Sequence, residues 1–188
     1  MKKPLNENQV KAIRKMTADN PLHNLLINLS TDLMLRASDL LKLKVSDVMF
    51  ENGKVRETVK VKQKKTKNYT IDIPLSENSK KSISKFLSDK NADDFIFAGQ
   101  KSHYTRKAIS TVQYQRIIKG WMRMLGVDDV SSYSTHSMRK TLASHIYHKT
   151  NNVEAVRRLL GHQSVTATSS YLNVSNDDAT ALAIQHHF

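Results

Sequence analysis

The stretch Asp47–Pro74, DVMFENGKVRETVKVKQKKTKNYTIDIP, decides the fold class. Its Asn52-Gly53 pair is the strongest short-range hairpin signal, because a tight turn of the hand that twisted strands prefer needs positive φ. Beyond that turn Val55 to Val61 alternates with period two, and Tyr69 to Ile73 does the same until Pro74, which cannot donate to a ladder. A second turn falls on Lys64-Lys65-Thr66-Lys67-Asn68, and Asp47-Val48-Met49-Phe50 supplies another short apolar run. A small antiparallel sheet of three strands is therefore expected.

On either side of this stretch the chain reads as helix. Five Gly and three Pro in 188 residues leave few breakers. Residues 6–17 place Val10, Ile13 and Met16 on one face. Pro21 suits the first turn of a second helix, whose Leu25, Leu26, Leu29, Leu33 and Met34 are too apolar for a surface. A short leucine-rich helix follows from about Ser38. Helical patterning returns at 76–89, is interrupted by Phe95-Ile96-Phe97, and resumes at 108–125, where Gly126 is placed to stop it. The last third reads as helices over 135–149, 152–160, 164–172 and 177–186, with Gly161 closing the second of them. The expected fold is mainly α with one small sheet, in a single domain spanning 1–188.

Charge narrows the partner. Lys and Arg number 30 against 17 Asp and Glu, a net charge of +13 and an isoelectric point near 9.9. A domain this basic repels itself, and a polyanionic partner is the usual reason to tolerate that. Nucleic acid is favoured over an anionic membrane face. No apolar run reaches transmembrane length and the start, MKKPLNENQ, is not a signal peptide. The absence of cysteine rules out disulfides and thiolate metal sites, and fits a cytoplasmic protein that joins the nucleoid when bound to DNA.

Four pieces carry chemistry. Arg36 sits in LRASDLL between two apolar helical segments. His136 and Arg139 are three residues apart in THSMR, so a helix puts them on one face, where both reach one phosphate. His162 follows the glycine stop in LLGH, and Tyr171 comes nine residues later. The lysine-rich hairpin tip lies between the first piece and the others. Opening a phosphodiester needs a nucleophile, cations on the phosphorane oxygens and a proton for the departing 5′ oxygen. Two arginine forks supply the cations, a tyrosine conserves the bond energy as a phosphotyrosine, histidine handles a proton near neutral pH, and lysine donates one. Neither metal, cofactor nor ATP is required. Each residue alone has an ordinary explanation: Tyr171 is one of six tyrosines, Arg36 could pair with Asp39, and His162 could simply follow a helix stop.

Taken in order, LRASDLLKL, THSMRKTLASH and LLGHQSVTATSSYLNV resemble the motifs of the tyrosine recombinases, the phage-integrase family. The 23-residue step from Arg139 to His162 and the nine-residue step to Tyr171 agree with that family. The resemblance implies that Arg36 and Arg139 clamp the scissile phosphate, that His136 and His162 flank it, and that Tyr171 attacks it. Lys64, Lys65 and Lys67 all lie at the hairpin tip; Lys65 is favoured as the catalytic lysine because Lys65-Thr66 resembles the Lys-Thr at the turn of several integrases. Lys62, Lys64 and Lys67, with Lys140, are expected to contact DNA. Three departures stand out: Lys140 where many relatives have histidine, Met138 for leucine, and Asp39 for glutamate. His145 fits a family-like position but reads as structural.

The resemblance also implies partners and limits. The expected partner is double-stranded DNA, with a homotetramer on DNA and a monomer or weak dimer without it, helix 177–186 being the element relatives exchange between protomers. The helical domain with which relatives clamp the far side of DNA has no room ahead of the first catalytic helix, so a catalytic-domain fragment is expected rather than a complete short recombinase. A catalytically silent DNA-binding regulator would have lost the tyrosine or an arginine, and a type IB topoisomerase would not carry LLGH before its tyrosine.

Overall fold

The centre of the fold is a helix that touches almost no water. In the computed structural model, which describes residues 2–99, 107–174, 180–181 and 184–185, helix α2 spans Pro21–Leu33. Asn20 caps it by accepting the His23 amide at 3.0 Å, and Pro21 takes the first turn, where its missing N–H costs nothing. Every residue from Leu25 to Leu33 is buried, polar ones included. Three of its four buried polar residues are satisfied: Asn28 accepts Arg14 Nε at 2.8 Å, Thr31 donates to the Ile27 carbonyl at 2.6 Å, and Asp32 accepts the Ser76 amide at 2.8 Å and the Ser79 hydroxyl at 2.5 Å. Asp32 thereby anchors the start of a neighbouring helix with a buried carboxylate, where the helix dipole favours a negative charge.

Helix α1 (Glu7–Met16) packs on α2 through Val10 and Ile13, while Met16, expected on the same face, is 44% exposed. Two helical turns follow α2, namely α3 (Ala37–Leu40) and α4 (Val45–Val48). The second replaces the strand expected at 47–50: Val45 and Val48 are buried at a helical spacing of three, and Asp47 caps the turn by accepting the Lys44 amide at 2.8 Å. Only Met49 is left to pair, as an isolated bridge to Val55. The turn between them is the Asn-Gly turn anticipated, with Gly53 at φ 79°.

The sheet has two strands rather than three. Strand β1 (Thr58–Val59) runs antiparallel to β2 (Ile73–Pro74) in the register Thr58↔Pro74 and Val59↔Ile73, and beyond it lies only the isolated bridge Lys62↔Tyr69. The ladder is cut by Thr70, whose hydroxyl takes the Val61 amide at 3.0 Å in place of a carbonyl. Full burial of apolar side chains between residues 55 and 74 is also confined to Val59 and Ile73, with Tyr69 and Ile71 exposed, so little apolar surface rewards further pairing.

Helices α5 (Glu77–Leu87) and α6 (Thr111–Met124) follow, capped by Ser76 and Ser110, and Gly126 ends the second region at φ 68°. After a 3₁₀ turn at Val130–Ser132 come α7 (Thr135–Thr150), α8 (Val153–Leu160) and α9 (Val165–Leu172). Both α5 and α7 pack against α2, and α8 and α9 pack on α7 and on each other. Of the helix expected at 177–186, most lies outside the described residues; Thr180, Ala181, Ile184 and Gln185 are helical. Among the described residues, no helix is long and apolar enough to cross a membrane.

Candidate active site

Four separate stretches of backbone converge at the exposed ends of α2, α7 and α8. The first is the exit from α2. Met34 takes the left-handed conformation (φ 49°, ψ 30°), although it is neither glycine nor asparagine, and is held there by burial against Ala143, Tyr147, Val156, Leu160 and Leu172. That sharp turn sends Arg36 out at the start of α3, half-buried, with Nη1 donating to Gln63 Oε1 at 2.8 Å.

The second stretch is the start of α7. Ser134 caps it, accepting the His136 amide at 3.2 Å, and His136, Arg139 and Lys140 share the face that looks toward α9. Arg139 is only 3% exposed, and its Nη2 donates to the Leu160 carbonyl at 2.7 Å. That carbonyl ends α8, where helix oxygens lack intrahelical partners and the dipole is negative, so it suits a cation. Arg139 Nε and Asp39 Oδ2 are both buried with no hydrogen-bond partner among the described residues. Burial, reinforced by the neighbouring Arg36 charge, pushes the Arg139 guanidinium down to about 10. It is still a cation at neutral pH, with a donor to spare.

The third stretch is the glycine stop. Gly161 takes φ 64°, its amide meets the Arg158 carbonyl at 3.2 Å, and the His162 amide meets the Arg157 carbonyl at 3.0 Å. Arg157, held by Glu154 at 2.6 and 2.7 Å, donates Nη1 to the His162 carbonyl at 2.8 Å. The His162 ring is fixed by Nδ1 at 3.1 Å from the Thr168 hydroxyl, which itself donates to the Ser164 carbonyl at 3.1 Å. Because that hydroxyl's one proton goes to Ser164, it must accept from His162; this network assigns the proton to Nδ1 and a lone pair to Nε2. Burial first, then the charges of Arg139, Arg36 and Lys65, depress the imidazole to about 4. His162 is therefore neutral at pH 7.

The fourth stretch is α9, which brings Tyr171 over this group. Its ring meets His162 edge-on at 5.3 Å and 88°, with Arg139 Cζ 6.0 Å and Lys140 Nζ 5.7 Å from its centroid. Its hydroxyl lies 3.5 Å from the His136 carbonyl. Burial pushes the phenol up to about 12 despite the opposing pull of Arg139 and Arg36, so it is un-ionised at neutral pH.

Arg36, Arg139, His162 and Tyr171 thus lie together, and His136, whose side chain is exposed, meets them through its backbone carbonyl. Lys65 is exposed on the hairpin, near enough for its charge to be felt at His162. Lys64 is exposed too, its backbone amide held by Asp39 Oδ1 at 2.9 Å. Lys67 occupies the left-handed turn position at φ 61°, and Lys62 lies 5.8 Å from the Tyr69 ring centre. Lys140 is buried within the site, and burial lowers its ammonium. His145 is exposed and lines a surface cleft with Pro4, Leu5 and His148. Sequence reading missed three participants: Gln63, Thr168 and Arg157. Only the last had a signal, its three-residue spacing from Glu154 on a helix.

Comparison with known proteins gives a consistent result. The phage integrase family model matches residues 3–177. A probable integrase/recombinase of Bacillus subtilis strain 168, YoeC, is 31% identical over 147 residues, covering 78% of this chain and 75% of its own length. A tyrosine recombinase of Pseudothermotoga lettingae is 27% identical over 172 residues, covering 90% of this chain and 56% of its own. The chain spans about half the length of the tyrosine recombinases it matches. In three dimensions it superposes in full on 66% of the XerA recombinase, with a TM-score of 0.77 at 20% identity. Over 98% of its length it also follows 54% of a XerH recombinase bound to a palindromic difH substrate in a post-cleavage complex, with a TM-score of 0.72 at 19% identity. With a mainly helical fold, a convergent cluster of arginines, histidines and tyrosine, and a family match running almost from end to end, the chain belongs to the phage integrase family.

Proposed function

We propose that this chain is the catalytic domain of a site-specific recombinase that cuts and rejoins double-stranded DNA through a covalent 3′-phosphotyrosine. The observation that carries this reading is the placement of Tyr171 against two arginines and a neutral histidine. The forks of Arg36 and Arg139 take the non-bridging oxygens of the scissile phosphate, where preorganised cations stabilise the charge that builds in the phosphorane. The Tyr171 oxygen attacks phosphorus and its proton passes to the Nε2 lone pair of His162. The P–O5′ bond breaks as the P–O bond to tyrosine forms, and the departing 5′ oxygen takes a proton from Lys65. Rejoining is the reverse with an incoming 5′-hydroxyl, so no outside energy is consumed. His136 lines the same face of α7 and completes the pocket.

Binding rests on phosphate contacts, to which Lys62, Lys64, Lys67 and Lys140 contribute. The net charge of +13 and the DNA complexes of structural neighbours such as XerH support this partner. Recombination between two duplexes calls for four active sites, so we propose a homotetramer on DNA and a monomer or weak dimer without it. The nucleoid follows as its place of action.

The test starts by selecting binding sites from a randomised duplex pool with Tyr171→Phe protein. Selected sequences are then rebuilt as nicked duplexes whose cleavage is irreversible. Wild type is expected to leave a denaturant-resistant protein–DNA adduct and Tyr171→Phe none. An adduct with Tyr171→Phe removes the nucleophile assignment; tight binding without any wild-type adduct makes the chain a silent DNA-binding regulator.

A further inference from the structure

Granted that strand-cleavage reading, we infer that Gln63 is a positioning residue which joins the arginine clamp to the hairpin lysine. Gln63 is 3% exposed, and both the oxygen and the nitrogen of its amide are engaged. Oε1 accepts Arg36 Nη1 at 2.8 Å and the Thr66 hydroxyl at 3.2 Å, while Nε2 donates to the Leu160 carbonyl at 3.3 Å. The orientation of the amide is not arbitrary, because guanidinium has only donors and a carbonyl only accepts. The Leu160 carbonyl also receives Arg139 Nη2 at 2.7 Å. One continuous path therefore runs from Arg36 through Gln63 and Leu160 to Arg139, and a branch at Thr66 runs to the neighbour of Lys65.

The backbone of Gln63 sets the turn itself: its amide donates to the Asn68 carbonyl at 2.9 Å, and its carbonyl accepts the Lys67 amide at 2.9 Å. Lys64, Lys65 and Thr66 are suspended between these bonds. The contact with the glycine stop is equally close, since a Cβ added to Gly161 would lie 2.7 Å from Gln63 Nε2. The requirement for glycine there comes from Gln63 as well as from positive φ.

An amide is the one neutral side chain of this length that offers an acceptor to an arginine and a donor to a carbonyl. Glutamate would hold Arg36 and Thr66 but turn an oxygen toward Leu160, and its charge would compete with the phosphate for Arg36. Gln63 thus fixes the separation of the two forks and sets Lys65 above the departing 5′ oxygen, while leaving the positive charge of the site uncompensated for DNA.

The experiment compares two suicide duplexes that differ only at the scissile 5′ bridging atom, oxygen or sulfur. A thiolate leaves without a proton, so the sulfur duplex does not need Lys65. On the oxygen duplex, Gln63→Ala and Lys65→Ala are each expected to slow adduct formation by about 100-fold. On the sulfur duplex both should return to within about tenfold of wild type. A Gln63→Ala loss that is equal on the two duplexes overturns the link to the lysine and leaves Gln63 a structural residue. Gln63→Glu, which is isosteric and keeps both acceptors, tests the arginine arm: it should lose about 100-fold on both duplexes, and a wild-type rate would overturn that arm. Wild type that forms no adduct on the sulfur duplex, where Tyr171→Phe is the blank, would instead overturn the cleavage reading and this inference with it.

Discussion

The two halves of the site rest on foundations of different size. Arg36 and the hairpin grow out of the large core around α2, which reaches from Leu5 to Met138 and includes Trp121, Tyr114 and Phe97 at no more than 1% exposure. His162 and Tyr171 grow out of a small cluster of six buried residues: Met34, Ala143, Tyr147, Val156, Leu160 and Leu172. Their helices, α8 and α9, have eight residues each, too short to persist without packing. Arg36 therefore stands on the stable part of the molecule, while Arg139, through its bond to Leu160, and the nucleophile stand on the part that opens most easily. In the proposed reaction the tyrosine has to meet its phosphate only once DNA is seated, and this asymmetry supplies a physical basis for that.

The largest expected effect breaks the comparison directly. Leu29→Ala in α2 and Leu160→Ala beneath the site both open a buried cavity, each at a cost of about 2–5 kcal/mol. Leu29→Ala should lower the global unfolding free energy by that amount, with exchange accelerated throughout. Leu160→Ala should accelerate amide exchange first in α8 and α9, leaving α2 protected. Uniform acceleration in both variants would mean that the two cores unfold as one unit.

Next comes the clamp. Arg36 is half-buried and linked to the core through Gln63, so Arg36→Ala should slow adduct formation by about 100- to 1000-fold with little change in thermal stability. Arg139→Ala should lose as much activity and also destabilise, because it leaves the buried Leu160 carbonyl without its strongest donor. Equal stability of the two variants would contradict the assignment of Arg139 to the smaller foundation.

What could be read in advance follows the same division. Helix limits were legible where Pro21, Gly126 and Gly161 set them within a turn of themselves, whereas the Ser110 cap starts α6 at Thr111 rather than at the expected 108. The candidate site residues were legible because Arg36, His136, Arg139, His162 and Tyr171 lie in short ordered motifs whose spacing reflects helix geometry. Gln63 was not, since its partner Leu160 is 97 residues away and nothing in a lysine-rich run marks one glutamine as buried. The two strands that form are shorter than expected for a related reason. Alternation from Val55 to Val61 is real, but the Thr70 hydroxyl takes the place of a ladder carbonyl, and the exposed Tyr69 and Ile71 gain nothing from pairing. At α4, the missing strand, Val45 and Val48 are buried at a helical spacing of three, but four residues are too few for that period to stand out in the sequence, and the Asp47 cap fixes the turn.

A smaller effect sharpens the boundary between the halves. Gly161→Ala places a Cβ at positive φ, a cost of about 1–2 kcal/mol, and drives it into Gln63. Part of that should be recovered in the Gln63→Ala background, where the space is free. A double-mutant cycle on unfolding measures the coupling, and strictly additive losses would show that the stop and the hairpin do not touch in solution.

The smallest effect concerns protons. The His162 imidazole titrates at about 4 in the fold against 6.5 for the free side chain, depressed by burial and by Arg139, Arg36 and Lys65. Between those values the unfolded chain binds a proton that the folded chain refuses, so stability rises with pH across that window and is lost as pH falls from 6.5 toward 4. The ring is half-exposed, and water screens its neighbours, which keeps the contribution modest. His162→Asn should flatten this part of the melting-temperature profile while leaving the acid limb below it, where carboxylates such as Glu154 give up their arginine partners. Exchange followed across the same range should show α9 loosening before α2, because the refused proton lies on the smaller foundation. If α2 loosens first, the acid sensitivity does not belong to His162.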